Sequence, residues 1–242
     1  HELNRVHNHW HIDFDRDGTI DTLVASREGV HVVRRDKQGW TRTRLGTGAV
    51  ADDPNQNGAG EIKYGKIGGK TQYIVTVEPM HGTQLVVYTV PEKSGALWNR
   101  TVIDKGFRRG HALWTADMDG DGDMDILSAS WEDDTIAWYE NNGASDPTWT
   151  ASNIATSADK ALGVFAADMD GDGDMDIVSA SYDDDTIAWY KNDGAANPTW
   201  TAANIATSAN GATSIFAADM DGDGDMDIVS ASYIDDTIAW YE

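Results

Sequence analysis

The feature that most constrains the fold is an internal repeat. The segment DMDGDGDMDI occurs three times, beginning at Asp117, Asp168 and Asp219, and successive copies start 51 residues apart. A looser copy, DFDRDGTID, begins at Asp13, two periods of about 52 residues before Asp117. A fifth copy is expected near Gly65, where GKIGGKTQYIV keeps the apolar strand without the acidic loop residues. We therefore predict one domain over residues 1–242, built of five repeats whose loops start near 13, 65, 117, 168 and 219.

Each repeat has the pattern of four short strands. In the fourth repeat these strands are Val164 to Asp168, Ile177 to Tyr182, Thr186 to Lys191 and Trp200 to Ile205, and Gly, Asp, Asn and Pro clusters separate them. No segment keeps a 3.6-residue apolar period, so helices are not expected. Four antiparallel strands per repeat are typical of a propeller blade. The predicted fold is an all-β, five-bladed β-propeller, with strands a to d in chain order in each blade.

The two ends of the chain suggest how the propeller closes. The sequence stops at Glu242, at the end of a strand c, and the opening ELNRVH matches WNRTVID at Trp98 to Asp104, which is a strand d. We predict that this N-terminal strand completes the C-terminal blade, because closure removes exposed sheet edges.

Composition narrows the function classes. Asp and Glu number 41 against 18 Lys and Arg, giving a formal charge of −23. This balance opposes binding to nucleic acid or to an anionic membrane surface, both of which need Lys and Arg. There is no Cys for disulfides or thiolate metal sites, and no apolar run is long enough to cross a bilayer. We expect a globular monomer without nucleic-acid or membrane partners.

The acidic loops have the pattern of metal sites. In D-x-D-x-D-G-x-x-D the carboxylates at positions 1, 3, 5 and 9 can converge, and Gly at position 6 permits a tight turn. Ligands that are all oxygen favour a hard cation, and Ca²⁺ tolerates flexible geometry better than Mg²⁺. Four or five Asp carboxylates in one loop repel one another, and a turn without a metal would avoid that repulsion by using Asn, Ser or Gly. We therefore predict about four Ca²⁺ sites. The predicted ligands are Asp13, Asp15, Asp17 and Asp21; Asp117, Asp119, Asp121 and Asp125; Asp168, Asp170, Asp172 and Asp176; and Asp219, Asp221, Asp223 and Asp227.

These segments resemble known families. DMDGDGDMDIVSAS followed by DDTIAWYEN is similar to the FG-GAP/VCBS repeats of extracellular calcium-binding propellers, over about Arg109 to Glu242. The first half, through HNHWHIDFDRDGTID, EPMHGTQLVVYT and RRGHALWTADMDGDG, resembles the propeller domain of aldos-2-ulose dehydratases and related proteins. The first resemblance implies an extracellular or secreted protein, and extracellular calcium is high enough to fill weak sites.

A second face carries different chemistry. The d-to-a connections and b-to-c hairpins lie opposite the acidic loops, and the repeat spacing assigns His7, His9, Arg27, His81, Arg109 and His111 to them. Glu61 belongs to the same group. Such channel mouths commonly bind ligands. The dehydratase resemblance implies a carbon–oxygen lyase acting on carbohydrate, with His81 or His111 as base and either Arg109 or a histidine-bound divalent ion stabilising an enolate. The alternative is that these side chains only cap turns.

The tryptophans and the repeat similarity favour a binding or scaffold role. Most of the ten Trp recur at the blade period, which packing explains, but Trp131 replaces Tyr182 and Tyr233 at a hairpin and is the best candidate for stacking on a ligand. Residues 117–149 and 168–200 differ at only seven positions, whereas an active site needs different residues on different blades. These positions are Leu127/Val178, Trp131/Tyr182, Glu132/Asp183, Glu140/Lys191, Asn142/Asp193, Ser145/Ala196 and Asp146/Asn197.

Two functions follow from these observations. The first is a calcium-stabilised propeller without catalysis, which serves as a scaffold or binds glycans or proteins. The second is the lyase. The change from a diverged first half to a repetitive second half fits recent duplication, or a chimera assembled from fragments.

Overall fold

The computed structural model describes residues 3–68 and 71–242. Its backbone contacts divide the chain into two compact units, one of His1–Gly65 with Thr71–Gly110 and the other of Lys66–Lys70 with His111–Glu242. The described residues contain β-strands and one 3-10 turn at Pro54–Gln56, and no α-helix. The all-β fold predicted from the turn spacing is therefore confirmed.

The first unit contains two four-stranded antiparallel sheets, in the orders β1-β2-β3-β4 and β5-β6-β7-β8. Consecutive strands are neighbours, as expected for a chain that forms one sheet per repeat. The first sheet comprises β1 (Asn8–Ile12), β2 (Asp21–Ser26), β3 (Gly29–Asp36) and β4 (Gly39–Gly46). The second comprises β5 (Ile62–Ile67), β6 (Thr71–Glu78), β7 (Gln84–Thr89) and β8 (Asn99–Asp104).

The second unit contains two four-stranded sheets and one three-stranded sheet, again with consecutive strands as neighbours. The first comprises β9 (Gly110–Ala116), β10 (Asp125–Ser130), β11 (Thr135–Asn141) and β12 (Trp149–Ala155). The second comprises β13 (Ala161–Ala167), β14 (Asp176–Ser181), β15 (Thr186–Asn192) and β16 (Trp200–Ala206). The third comprises β17 (Ala212–Ala218), β18 (Asp227–Ser232) and β19 (Thr237–Tyr241). The strands predicted for the fourth repeat match β13–β16 to within a few residues.

The core lies between successive sheets of each unit, because their inner strands are covered on both faces. Every residue of β10 and of β14 is buried, and both strands combine Ile with Ser and Ala, which leaves room for a neighbouring sheet. Trp138 is buried in this core, and its ring centroid lies 6.3 Å from that of Trp200 in the next sheet. Packing therefore accounts for Trp138 and Trp200, whereas the periodic Trp40 and Trp240 are 69% and 54% exposed.

The opening segment does not form the predicted strand d. Glu2 lies outside the described residues, and residues 3–7 run beside the β2–β3 hairpin: the His7 amide donates to the Ala25 carbonyl, and the Arg27 amide donates to the Asn4 carbonyl. Arg5 has a left-handed backbone, as do Arg109 and Lys160 at later repeat positions just before a strand a. Residues 3–7 are therefore a d-to-a connection. In the described part of the chain β17–β19 has no fourth strand, and closure of a ring stays a prediction.

Candidate functional site

The acidic loops between strands a and b are ordered by their first aspartate. The Asp13 carboxylate accepts the amides of Asp17 and Gly18, both at 3.0 Å, and Asp168 accepts the amides at the equivalent places in its own loop. The glycine at position 6 has a positive φ of 87° in Gly18 and 98° in Gly173, a region that side chains with a Cβ rarely adopt. These contacts fold each loop back on itself.

The folded loops bring carboxylates together. In each group below, one oxygen from every member lies within 4.8 Å of the others, close enough to share a cation. The groups are Asp13, Asp15 and Asp17; Asp117, Asp119 and Asp121; Asp168, Asp170 and Asp172; Asp219, Asp221 and Asp227; and Asp221, Asp223 and Glu242. Burial, and then the charges of Asp121 and Asp117, raise the pKa of Asp119. This donor set is entirely oxygen and strongly negative, which fits a hard divalent cation.

The aspartate at position 9 also accepts backbone hydrogen bonds in the third and fourth repeats. The buried carboxylate of Asp125 accepts the Asn141 amide at 2.7 Å and the Met118 amide at 3.1 Å, and Asp176 makes the same two bonds in the next repeat. Burial raises the pKa of Asp125 to about 7, while its hydrogen bonds act in the opposite direction. These carboxylates tie the loop to strand c. In the first repeat Asp21 instead accepts Nε of Arg34 at 3.1 Å.

In the first unit, a cluster forms around Glu61. The Nδ1 atom of His7 lies 3.0 Å from a carboxylate oxygen of Glu61, and the side chain of Asn8 donates to the other oxygen. The His7 and His81 rings meet edge to face with their centroids 4.4 Å apart. Two predicted site histidines and Glu61 are therefore brought together, although they are far apart in sequence.

The other predicted site residues of this unit are exposed or half-buried. His9 is exposed on β1, and its ring lies 5.0 Å from that of His11. Arg109 is exposed and has a left-handed backbone. Arg27 is half-buried in the β2–β3 hairpin.

In the second unit, hairpin aromatics form a row. The Trp131 and Tyr182 ring centroids are 5.6 Å apart, and the His111 ring is 6.4 Å from that of Trp131. Nζ of Lys160 lies 5.3 Å from the Trp131 ring centroid and also pairs with Asp183. We call these residues, His111, Trp131, Lys160, Tyr182 and Asp183, the aromatic row. Tyr233 occupies the equivalent hairpin of the last sheet and is 72% exposed.

Sequence reasoning missed several of these residues. Lys160 carried a detectable signal, because it shares the connection position of Arg5 and Arg109. Neither Asn8 nor Lys63 had a feature in the sequence that marked it as a site residue. Nζ of Lys63 lies 4.2 Å from the Trp10 ring centroid, and burial lowers the pKa of Lys63, with the Glu61 charge opposing that shift. That contact depends on how the sheets pack.

Comparison with protein families confirms the resemblance seen in the sequence. Residues 117–179 and 168–230 match the FG-GAP-like repeat, and residues 3–91 match the β-propeller domain of aldos-2-ulose dehydratase. The chain thus contains FG-GAP-like repeats in its second half and a segment similar to that dehydratase domain in its first. No curated protein gives a significant match to the sequence.

Solved structures share the fold at low identity. An Agrocybe aegerita lectin that recognises non-reducing terminal N-acetylglucosamine matches 93% of this chain with a TM-score of 0.61 and 18% identity. The V. cholerae biofilm matrix protein Bap1 matches 99% with a TM-score of 0.57 and 16% identity, and a luciferin-regenerating enzyme matches 98% with a TM-score of 0.57 and 11% identity. The chain spans 60% of the lectin, 38% of Bap1 and 74% of the enzyme.

Together these findings define a propeller-like fold of blade-like sheets. Within the described residues, no helix is long and apolar enough to cross a membrane.

Proposed function

We propose that this protein is a calcium-stabilised, extracellular β-propeller that acts as a scaffold and binds glycans or proteins through the face that carries its b-to-c hairpins. The observation that carries the binding role is the aromatic row, in which indole, phenol and imidazole rings lie beside a lysine and an aspartate. Aromatic rings offer apolar area with polar tips, and interfaces are enriched in them. The lectin and the biofilm matrix protein support this role as examples of the same fold.

Calcium would be held by the carboxylates that lie together in the acidic loops, at positions 1, 3 and 5 in the first, third and fourth repeats and at positions 1, 3 and 9 in the fifth. When bound, the ion supplies positive charge that offsets their mutual repulsion and joins strands a and b. Because an unfolded chain does not preform such sites, binding stabilises the folded state. Thermal unfolding in millimolar CaCl₂ and in EDTA tests this role. We expect a higher Tm in calcium, and an identical Tm in both would overturn it.

A glycan microarray tests the binding role, followed by titration of the positive glycans. Trp131→Ala should remove binding, since the substitution deletes the central ring of the row. Trp40→Ala is the matched control, because Trp40 is 69% exposed in the first unit, outside the aromatic row. Equal loss in both variants, or full binding by Trp131→Ala, would overturn the assignment of the site. If the ligand is a protein, no glycan on the array should bind. A purified protein partner should then be captured by the wild type and not by Trp131→Ala.

We further propose that the five sheets close into a ring. In the second unit, the Ala158 amide donates to the Asp134 carbonyl at 3.0 Å, and the Ala209 amide donates to the Asp185 carbonyl at 2.9 Å. The repeat spacing makes Leu3 and Asp236 the equivalent pair for a closed ring, and Asp236 shares the positive φ of Asp134 and Asp185.

Disulfide trapping tests closure, because the chain has no native cysteine. The double variant Leu3→Cys with Asp236→Cys should form an intramolecular disulfide on mild oxidation. Ala158→Cys with Asp134→Cys is the positive control, since that contact lies within one unit. A disulfide in the control and none in the test pair would overturn ring closure.

A carbohydrate lyase is the second candidate function, and the cluster around Glu61 favours it. The Glu61 carboxylate lies 3.0 Å from Nδ1 of His7, and the His81 ring packs against that of His7, so groups able to transfer a proton lie side by side. Uronate polysaccharides and anhydro-keto sugars are suitable substrates, with absorbance of the unsaturated product as the readout. His7→Ala and His81→Ala should abolish the signal, whereas His9→Ala should keep it because His9 is exposed and contacts His11. No signal from the wild type would remove this candidate.

A further inference from the structure

One position of strand c faces every acidic loop, and its charge differs among the repeats. Strand c pairs with strand b in a common register: Val32 is opposite Leu23, as Trp138 is opposite Leu127 and Trp189 opposite Val178. The facing position lies two residues further along strand c. Its occupants are Arg34, Glu140, Lys191 and Glu242 in the first, third, fourth and fifth repeats.

Two of these occupants place a positive charge inside their loop. Nε of Arg34 lies 3.2 Å from Oδ2 of Asp15. Nζ of Lys191 pairs with Asp170 and lies 3.3 Å from Oδ2 of Asp172. Asp15 and Asp170 are both at loop position 3. A cationic side chain thus contacts the same carboxylate that a metal ion would use.

The other two occupants add a carboxylate. In the third repeat Glu140 occupies the register position that Lys191 occupies in the fourth, where the side chain reaches loop position 3. Glu242 joins Asp221 and Asp223 in a group whose oxygens lie within 4.8 Å of one another. The side chain at this position is therefore positive in the first and fourth repeats and negative in the third and fifth.

We propose that the loops are two classes of cation site: the third and fifth bind calcium tightly, and the first and fourth are weakened because Arg34 and Lys191 compete with the ion. This inference rests on the proposed calcium role. Replacing a carboxylate by an ammonium a few ångströms from the ion changes the site by two charges. At the dielectric of a protein surface, that difference weakens binding by about tenfold or more.

Calcium titration by calorimetry, with terbium luminescence as a second readout, tests the division. The wild type should bind two ions tightly and the others at least about tenfold more weakly. Lys191→Glu should add a third tight site, and Glu140→Lys should remove one. Both residues already occupy this position in nearly identical repeats, so both variants should fold. Lys105→Glu is the matched control, since it changes the net charge equally but lies at an exposed position in the connection between β8 and β9.

The outcomes separate this inference from the role on which it rests. Absence of calcium binding to the wild type overturns both. Four sites of equal affinity, or an equal response to Lys105→Glu and Lys191→Glu, overturn the two classes while leaving the calcium role intact. The double variant Glu140→Lys with Lys191→Glu keeps the net charge and should still bind two ions tightly.

Discussion

The guanidinium of Arg100 on β8 holds the fully buried carboxylate of Glu78, with Nη2 and Oε2 2.6 Å apart. The hydroxyls of Tyr88 and Thr76 donate to the other oxygen at 2.6 and 2.9 Å. Removing Arg100 leaves a buried charge uncompensated. We therefore expect Arg100→Ala to lower the free energy of unfolding by about 3 kcal/mol.

Urea denaturation followed by tryptophan fluorescence measures this loss. Arg42→Ala is the control, because Arg42 is an exposed arginine on the equivalent strand β4 and should cost no more than about 0.5 kcal/mol. A similar loss in both variants would show that the Glu78 pair is not special.

His31 should make the first unit sensitive to acid. This side chain is 3% exposed, and burial together with the charges of Arg42 and Arg44 lowers its pKa below 6.5. The unfolded chain therefore binds a proton more readily than the folded one. The contribution of neutral His31 to the free energy of unfolding is complete above pH 6.5. It is lost as the pH falls from 6.5 through the pKa of His31 in the folded protein.

Denaturation midpoints at pH 7.5 and pH 5.5 measure this effect. The decrease on acidification should be smaller in His31→Gln than in the wild type, because glutamine does not titrate. His9→Gln, at an exposed position, should keep the wild-type decrease. An unchanged pH response in His31→Gln would contradict the assignment.

The repeat made the fold predictable, because each strand appears several times with the same flanking turns. The bounds of β13–β16 follow from Gly, Asp and Asn clusters and from short apolar runs, which are local signals. The prediction that the opening segment forms a strand d is wrong. It relied on the similarity of ELNRVH to WNRTVID, whereas the repeat spacing places Arg5 at the same position as Arg109 and Lys160, just before a strand a. The pairs His7–His81 and Lys63–Trp10 were not visible as contacts, since they depend on packing between sheets.

Substitutions at Asp125 and Asp121 should show that the stability of the loop and its calcium binding depend on different carboxylates. Asp125→Ala leaves the amides of Met118 and Asn141 without their buried acceptor, so we expect a loss of about 2–3 kcal/mol even in EDTA. Asp121→Asn should leave the stability in EDTA nearly unchanged and reduce the gain on adding calcium. Thermal unfolding of both variants in EDTA and in calcium measures the two effects. If Asp125→Ala were neutral in EDTA, the carboxylate would not tie the loop to strand c.

Asn192 should couple neighbouring repeats of the second unit. Its buried amide donates to the Met118 carbonyl of the third repeat at 2.9 Å and to the Met175 carbonyl of its own repeat at 3.0 Å, and its oxygen accepts the Gly194 amide. Asn192→Ala leaves these groups unpaired and should cost about 2 kcal/mol. Asn192→Asp should cost at least as much, because a carboxylate cannot donate to the two carbonyls. Chemical denaturation of both variants provides the measurement, and an Asn192→Asp protein as stable as the wild type would show that the bridge between repeats contributes nothing.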